Sequence, residues 1–208
     1  MNQKKALKQL KELEKYVQIS KDAGMQLAAE SWNQNWQTLI SILMSARTRD
    51  EVTIPTAAKL FRVYGSIDKL SKSKLKDIEK IIRPVNFYRN KSKYVLALAK
   101  KLKLEYGSKA PKKFEELVKL PGVGRKTANV FLSHLGEPEI GVDTHVAYIS
   151  KKMGWTQGKN QEKIEIDLKK LFPKKYWGKV NSILVRFGKT HTSRKKKDIL
   201  LEKIKKIK

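Results

Sequence analysis

The sequence predicts an all-α fold, on three observations. Apolar residues recur three and four apart through most of the chain, the period of a single buried helical stripe. Glycines and prolines fall where several of those stripes stop. The two-residue alternation of a half-buried strand is almost absent, and the extended candidate Glu139–Val142 is too short to build a sheet.

Taken in order, Ala6, Leu10, Leu13 and Val17 line one face of a first helix, and Trp36, Leu39, Ile40, Leu43 and Met44 line a second. Asp50 stands where it can cap the helix that follows. Leu75, Ile78 and Ile82 mark a helix stopped near Pro84, Tyr94 to Leu104 form another closed by Gly107, and Pro111 begins a short one through Phe114, Leu117 and Val118. The segment RKTANVFLSHLG forms a helix closed by Gly136, and Gly154 closes the next. The last stretch, TSRKKKDILLEKIKKIK, puts Ile199, Leu200, Ile204 and Ile207 at roughly helical spacing behind a charge run. It reads either as a solvated amphipathic helix or as a contact to a polyanion.

Composition narrows the partner. Lysine and arginine number 47 against 20 acidic residues, a formal charge of +27 on 208 residues. That excess repels itself and calls for a polyanion such as nucleic acid. No apolar run approaches the ~20 residues of a spanning helix, and the N-terminus lacks a signal-peptide apolar block, so the expectation is a soluble protein without membrane contact. The chain has no cysteine, which excludes disulfides, thiolate zinc sites, a cysteine nucleophile and cysteine-ligated iron–sulfur clusters. His134, His145 and His191 fall at spacings that suggest no metal motif.

The segment LPGVGRKTA, residues 120–128, pairs two glycines with a Lys-Thr step. A nucleotide-binding P-loop requires the lysine directly after the second glycine and a buried strand before the loop. Here Arg125 separates Gly124 from Lys126, and the helical KKFEELVKL precedes the turn, so that reading fails twice. The remaining reading is a hairpin between two helices, with Gly122 and Gly124 permitting a tight turn and backbone N–H groups at the second helix start facing a phosphate. Such a contact carries no sequence information, and the turn alone says only that nucleic acid is bound.

Lys126 lies in the first turn of that second helix, where the helix dipole and Arg125 both disfavour positive charge; a lysine so placed can act as a neutral nucleophile. Asp143, in GVDTHVAYISKKMG, opens a further helix and can serve as a plain N-cap.

LPGVGRKTANVFL followed by VDTHV resembles the endonuclease III branch of the helix-hairpin-helix DNA glycosylases, enzymes of base-excision repair. LISILMSARTRDEV and NFYRNKSKYVLALAK extend the likeness to most of the chain, roughly residues 30–190. The resemblance implies two helical lobes with a cleft between them: a six-helix barrel over residues 28–138, with the hairpin at about 112–136, and a second lobe from residues 1–27 and 139–208 carrying the catalytic aspartate. It implies a bifunctional N-glycosylase that removes oxidised pyrimidines from duplex DNA, with Lys126 attacking the sugar and Asp143 assisting, and that nicks the abasic site by β-elimination. Action on another lesion or mismatch, chiefly abasic lyase activity, or a DNA-binding protein without turnover are the alternatives.

By the same likeness, Arg47 fills the gap left by a flipped base or contacts phosphate, and Phe87 is a wedge on the opposite strand or a core aromatic. Gly122, Val123, Gly124, Arg125, Thr127 and His145 complete the expected DNA contacts. Backbone carbonyls of Val118, Leu120 and Val123 are the expected holders of Na+ or K+. The implied partner is damaged double-stranded DNA, the expected state a monomer, and the expected setting the nucleoid of a prokaryotic cytoplasm.

The C-terminal region departs from the family pattern. Many relatives carry four cysteines for a [4Fe–4S] cluster after a segment like VRFGKTHTS, and here His191, Thr192 and a lysine run stand instead. No cofactor is required on this reading. Ile183, Leu184, Phe187, Ile199 and Leu200 are expected to hold the closing helices, and SRKKK to substitute an electrostatic contact to DNA.

Overall fold

A computed structural model describes residues 2–18, 26–30 and 32–207; Met1, residues 19–25, Ser31 and Lys208 lie outside it. The described residues are helices joined by short turns, with no strand among them. In chain order the helices are α1 (Gln3–Gln18), α2 (Asn35–Ser45), α3 (Asp50–Val63), α4 (Ile67–Ser71), α5 (Leu75–Ile82), α6 (Tyr88–Glu105), α7 (Phe114–Leu117), α8 (Arg125–His134), α9 (Thr144–Lys152), α10 (Gln161–Leu171), α11 (Trp177–Thr190) and α12 (Arg194–Lys205). A 3-10 turn, Lys174–Tyr176, precedes α11.

The chain divides into two compact units, one of Gln26–His134 and one of Met1–Met25 with Leu135–Lys208. In the first, α2 packs on α3 and α8, α6 on α4 and α5, and α7 on α8. Its core follows from the α2 stripe: Trp36, Leu39, Ile40, Leu43 and Met44 are all buried. In the second, α1 packs on α11 and α12, and α9 on α10, α11 and α12. Ala6, Leu10, Leu13 and Val17 are buried as their spacing requires. A polar link joins the chain ends: fully buried Gln9 accepts the Trp155 indole N–H at 2.8 Å and donates to the Lys205 carbonyl at 3.0 Å. Buried amide groups cost stability unless so satisfied.

Four local expectations change. The helix expected from Tyr94 to Leu104 begins six residues earlier, at Tyr88, because its first turn is polar and carries no apolar signal, although Lys91 and Ser92 are buried there. The helix expected from Pro111 begins at Phe114. Asp50 does not cap α3: Arg49 holds the N-cap position, and buried Asp50 is the first helical residue, where its charge suits the dipole. In α12 the inward face is Lys197, Leu201 and Ile204, while Ile199 is 62% exposed and Leu200 only half-buried. That face is selected by polar contacts. Asp198 accepts bonds from the Tyr148 hydroxyl and from Lys152 (3.0 Å), both on α9, and Lys197 donates to the Gly188 carbonyl of α11 at 3.3 Å. Ile183, Leu184 and Phe187 are buried as expected.

Candidate functional site

The two glycines of the hairpin turn differ. Gly122 has φ +74°, and a Cβ there would stand 2.7 Å from Tyr94 Cβ and 2.8 Å from Leu43 Cδ1, so the chain itself demands glycine. Gly124 has no positive φ, and a Cβ added to it meets no atom within 4 Å. Nothing inside the protein requires glycine there. Leu120 and Val123 are buried beneath the turn, and the Leu120 carbonyl accepts the Val123 N–H at 3.1 Å, which leaves that oxygen one further lone pair. Val118, at the end of α7, is 37% exposed. Among the described residues no group of three or more His, Cys, Asp or Glu could hold a metal ion.

The carbonyl of Gly124 accepts the first helical bond of α8, from Ala128 N–H at 3.0 Å. No acidic residue of α8 itself stands in the first turn, and glycine brings no capping side chain, so neither offsets the positive end of the helix dipole. Arg125 lies with its guanidinium 5.2 Å from the centre of the Phe114 ring. Lys126 follows, half-buried, and Thr127 is buried, so a phosphate would reach Thr127 through its backbone N–H. The charge of Lys126 acts on a second lysine, Lys91, whose pKa is lowered to about 8, first by burial and then by repulsion from Lys126. That repulsion is mutual, so Lys91 also disfavours positive charge on Lys126.

Asp143 occupies the N-cap of α9, its Oδ1 accepting the Val146 N–H at 2.8 Å. Ile140 and Val142 are buried just before it, and Asn181 of α11 donates to the Gly141 carbonyl, so the strap that presents Asp143 is anchored by two buried side chains and a hydrogen bond. A cap uses one carboxylate oxygen, and Asp143 has two. His145, half-buried in the first turn of the helix, packs against Gly188 of α11, where a Cβ would come within 2.3 Å of its Nδ1. Gly188 is therefore the residue that makes room for His145.

Arg47 and Phe87 come together although 40 residues part them. The Arg47 guanidinium carbon lies 4.8 Å from the centre of the Phe87 ring, within cation–π range. Both are non-glycine residues in the left-handed region, with φ 56° and 60°. Phe87 is 54% exposed, which settles that it is no core aromatic. Asn86 donates from its side chain to the Arg47 carbonyl at 2.6 Å and from its backbone to Thr48 Oγ1 at 3.2 Å. Lys91, 6% exposed, donates to the carbonyls of Met44 (2.7 Å) and Ala46 and to Thr48 Oγ1 (3.1 Å).

Sequence reading passes over Lys91, Asn86, Asn181 and Gly188. For Lys91 a signal exists: it falls in register with Val95, Leu98 and Leu102, all buried, and a lysine on the apolar stripe of a helix must be satisfied by something. For the other three the decisive contacts are with distant residues, and no local pattern marks them.

The chain has known relatives. Residues 40–174 match the model of the HhH-GPD superfamily base excision DNA repair protein. Endonuclease III of Thermotoga maritima is 42% identical over 155 residues, covering 74% of this chain and 73% of that protein. Endonuclease III of Bacillus subtilis is 35% identical over 158 residues, covering 75% and 72%. Among solved structures, a trapped endonuclease III–DNA covalent intermediate superposes with a TM-score of 0.84 at 30% identity, over 93% of this chain and 89% of that one. A thermostable thymine-DNA glycosylase, with a TM-score of 0.77 at 16% identity, shares the fold. The chain belongs to the HhH-GPD superfamily of base excision DNA repair proteins, in its endonuclease III branch.

Proposed function

We propose that this protein is a bifunctional DNA N-glycosylase and abasic-site lyase that acts on oxidised pyrimidines in duplex DNA, with Lys126 as nucleophile and Asp143 as its carboxylate partner. One observation carries the reading: the hairpin sets Lys126 in the first turn of α8, which carries no acidic residue, two residues after a glycine whose missing side chain no residue of the protein requires. A phosphate at the open side of Gly124 meets first-turn N–H groups, and Lys126 stands beside it.

The chemistry follows from the two groups. A damaged base leaves the stack at lower cost than a paired one, and its C1′ carbon becomes reachable. Neutral Lys126 Nζ attacks C1′, the C1′–N bond breaks, and the base departs with the electron pair and takes up a proton. Asp143 accepts a proton from the lysine and offsets the positive charge that builds on the sugar. Loss of the lysine's remaining proton and opening of the sugar ring give an imine. The imine acidifies C2′, and removal of a C2′ proton expels the 3′ phosphate and nicks the strand.

No iron–sulfur cluster takes part in this reading, since the chain offers no thiolate. Carbonyls of Val118, Leu120 and Val123 would hold a monovalent cation bracing the turn, Leu120 through the lone pair that the Val123 N–H leaves, and no chemical step runs through it.

Borohydride reduction in the presence of abasic duplex tests the assignment. Wild-type protein is expected to form a covalent adduct, and Lys126→Ala none; full trapping by the alanine variant would sink it. Asp143→Asn separates cap from charge, because asparagine caps a helix as well as aspartate. Its stability is expected to stay within about 0.5 kcal/mol of wild type, while base excision slows by roughly 10²–10⁴-fold. A set of duplexes carrying thymine glycol, 5-hydroxycytosine, 8-oxoguanine or uracil then identifies the preferred base.

A further inference from the structure

Arg47 and Phe87 are held by more bonds than their own loops supply. Three acceptors of one segment, the carbonyls of Met44 at the end of α2 and of Ala46 and the hydroxyl of Thr48 after it, converge on the single ammonium of Lys91, which enters from α6. The carbonyl between them, that of Arg47, is taken by the Asn86 side chain, and the Asn86 backbone N–H closes on the same Thr48 hydroxyl. Every one of these bonds crosses from the segment that carries Phe87 to the segment that carries Arg47. None ties either loop to itself.

The bonds have a clear consequence. A residue with a Cβ does not rest at φ near +60° on local preference, and it stays there only when its surroundings over-determine it. Here both Arg47 and Phe87 do so, at 56° and 60°, on either side of the shared bonds. The result places a guanidinium over an exposed phenyl ring at 4.8 Å. The burial of Lys91 argues the same way. An ammonium enclosed to 6% exposure is costly unless its protons are taken, and all three acceptors that take them belong to the segment that carries Arg47, from the end of α2 to Thr48.

We propose that Lys91 and Asn86 are positioning residues that fasten the Arg47 and Phe87 loops into one preformed wedge, so that the two side chains enter the DNA duplex as a unit. The proposal rests on reading Arg47 and Phe87 as the residues that probe the duplex. Neither Lys91 nor Asn86 needs to touch DNA. Their effect is to remove the ordering of two loops from the moment of insertion, the usual benefit of preorganisation.

The test uses full-length protein and a duplex with 2-aminopurine opposite a tetrahydrofuran abasic analogue, whose fluorescence reports insertion without any chemistry. Wild-type protein is expected to change the signal at saturation, and Arg47→Ala and Phe87→Ala to lose it. Lys91→Met, which keeps length and removes the donors, and Asn86→Ala are expected to lose most of the signal and to weaken binding to this duplex about tenfold. Lys91→Arg is expected to restore part of it. Binding to undamaged duplex and the thermal midpoint of Asn86→Ala should stay at wild-type values, which a merely structural role for the pair would not arrange. Asn86 is exposed, so its variant carries the test if Lys91→Met does not fold. Wild-type signal from both Lys91→Met and Asn86→Ala overturns the proposal. A signal that survives Arg47→Ala and Phe87→Ala, or is absent from wild type, instead overturns the reading of those two residues, and the proposal falls with it.

Discussion

The segments around Arg47 and Phe87 and the contact between α9 and α12 are both built from charged residues and one aromatic ring, and they are opposite in kind. The first holds two non-glycine residues at left-handed φ, with an exposed phenyl ring and a buried lysine. The second is ordinary helix throughout, and its charges are met: Asp198 by Tyr148 and Lys152, Lys197 by the Gly188 carbonyl, with the Arg194 guanidinium carbon 5.7 Å from the Tyr148 ring centre. Strain of roughly 1–3 kcal/mol per residue is tolerated only where surrounding structure enforces it. On the wedge proposal, the difference separates a region shaped for something outside the chain from one shaped for the chain itself.

The glycines of the hairpin draw the same distinction two residues apart, and they give the largest expected effect. Gly122→Ala combines a positive φ with a clash at 2.7 Å against Tyr94 Cβ, an atom that cannot swing away. Its unfolding free energy should fall by about 2–4 kcal/mol, the range for overpacking joined to backbone strain. Gly124→Ala should stay within about 0.5 kcal/mol of wild type and yet bind abasic duplex more weakly, because the added methyl points into open space. Denaturant unfolding and a binding titration on the two variants decide the matter. Equal destabilisation of both would erase the distinction between an internal and an external reason for glycine.

The next effect lies on the satisfied side of the comparison. Asp198→Ala removes the acceptor shared by Tyr148 and Lys152 and should cost about 1–2 kcal/mol, a figure kept small because Lys152 is more than one-third exposed. Asp198 has its pKa held below the ordinary 3.8, first by the Tyr148 hydroxyl and then by Lys152. A depressed carboxylate contributes stability above its unfolded pKa and loses it as pH falls through the folded one. The gap between wild type and variant should therefore be full at neutral pH and close in acid below the usual aspartate range. Borohydride trapping by the variant should match wild type. A fall in trapping with stability intact would mean that α12 also sets the position of the helix that Asp143 caps.

Much of this is legible in the sequence, for identifiable reasons. The stripes of α1 and α2 repeat the helical period over more than two turns each, so the buried face is fixed by spacing alone. The hairpin is legible because Gly122, Lys126 and Asp143 stand close together in one run of chain. The start of α6 is not, because its first turn, YRNK, is polar outside while Lys91 turns inward, and a lysine counts as solvent-facing in any periodicity. The pairing of Arg47 with Phe87 is hidden for another reason: it depends on Asn86 and Lys91 reaching across roughly 40 residues of sequence, and although the register of Lys91 shows that it is buried, nothing local names the acceptors it meets. Spacing misplaces the inward face of α12 because it favours Ile199, whereas the bonds of Lys197 and Asp198 turn the helix the other way.

The smallest effect on stability is expected from the basic run at the start of α12, where two roles part cleanly. Ser193 caps the helix, Arg194, Lys195 and Lys196 are exposed, and Lys197 is buried against Gly188. Replacing the three exposed cations with glutamine leaves the cap and the buried lysine in place, so unfolding should change by less than about 0.5 kcal/mol. If the run tracks the DNA backbone, the slope of log K against log salt becomes shallower by about 0.9 for each phosphate the variant no longer neutralises, equally on every sequence. An unchanged slope assigns the run to solvent and leaves the hairpin, with Arg125 and the start of α8, as the principal electrostatic grip on DNA. Because Lys197 lies within the same run yet points inward, Lys197→Gln supplies the internal contrast: it should lower stability and leave the salt slope where it was.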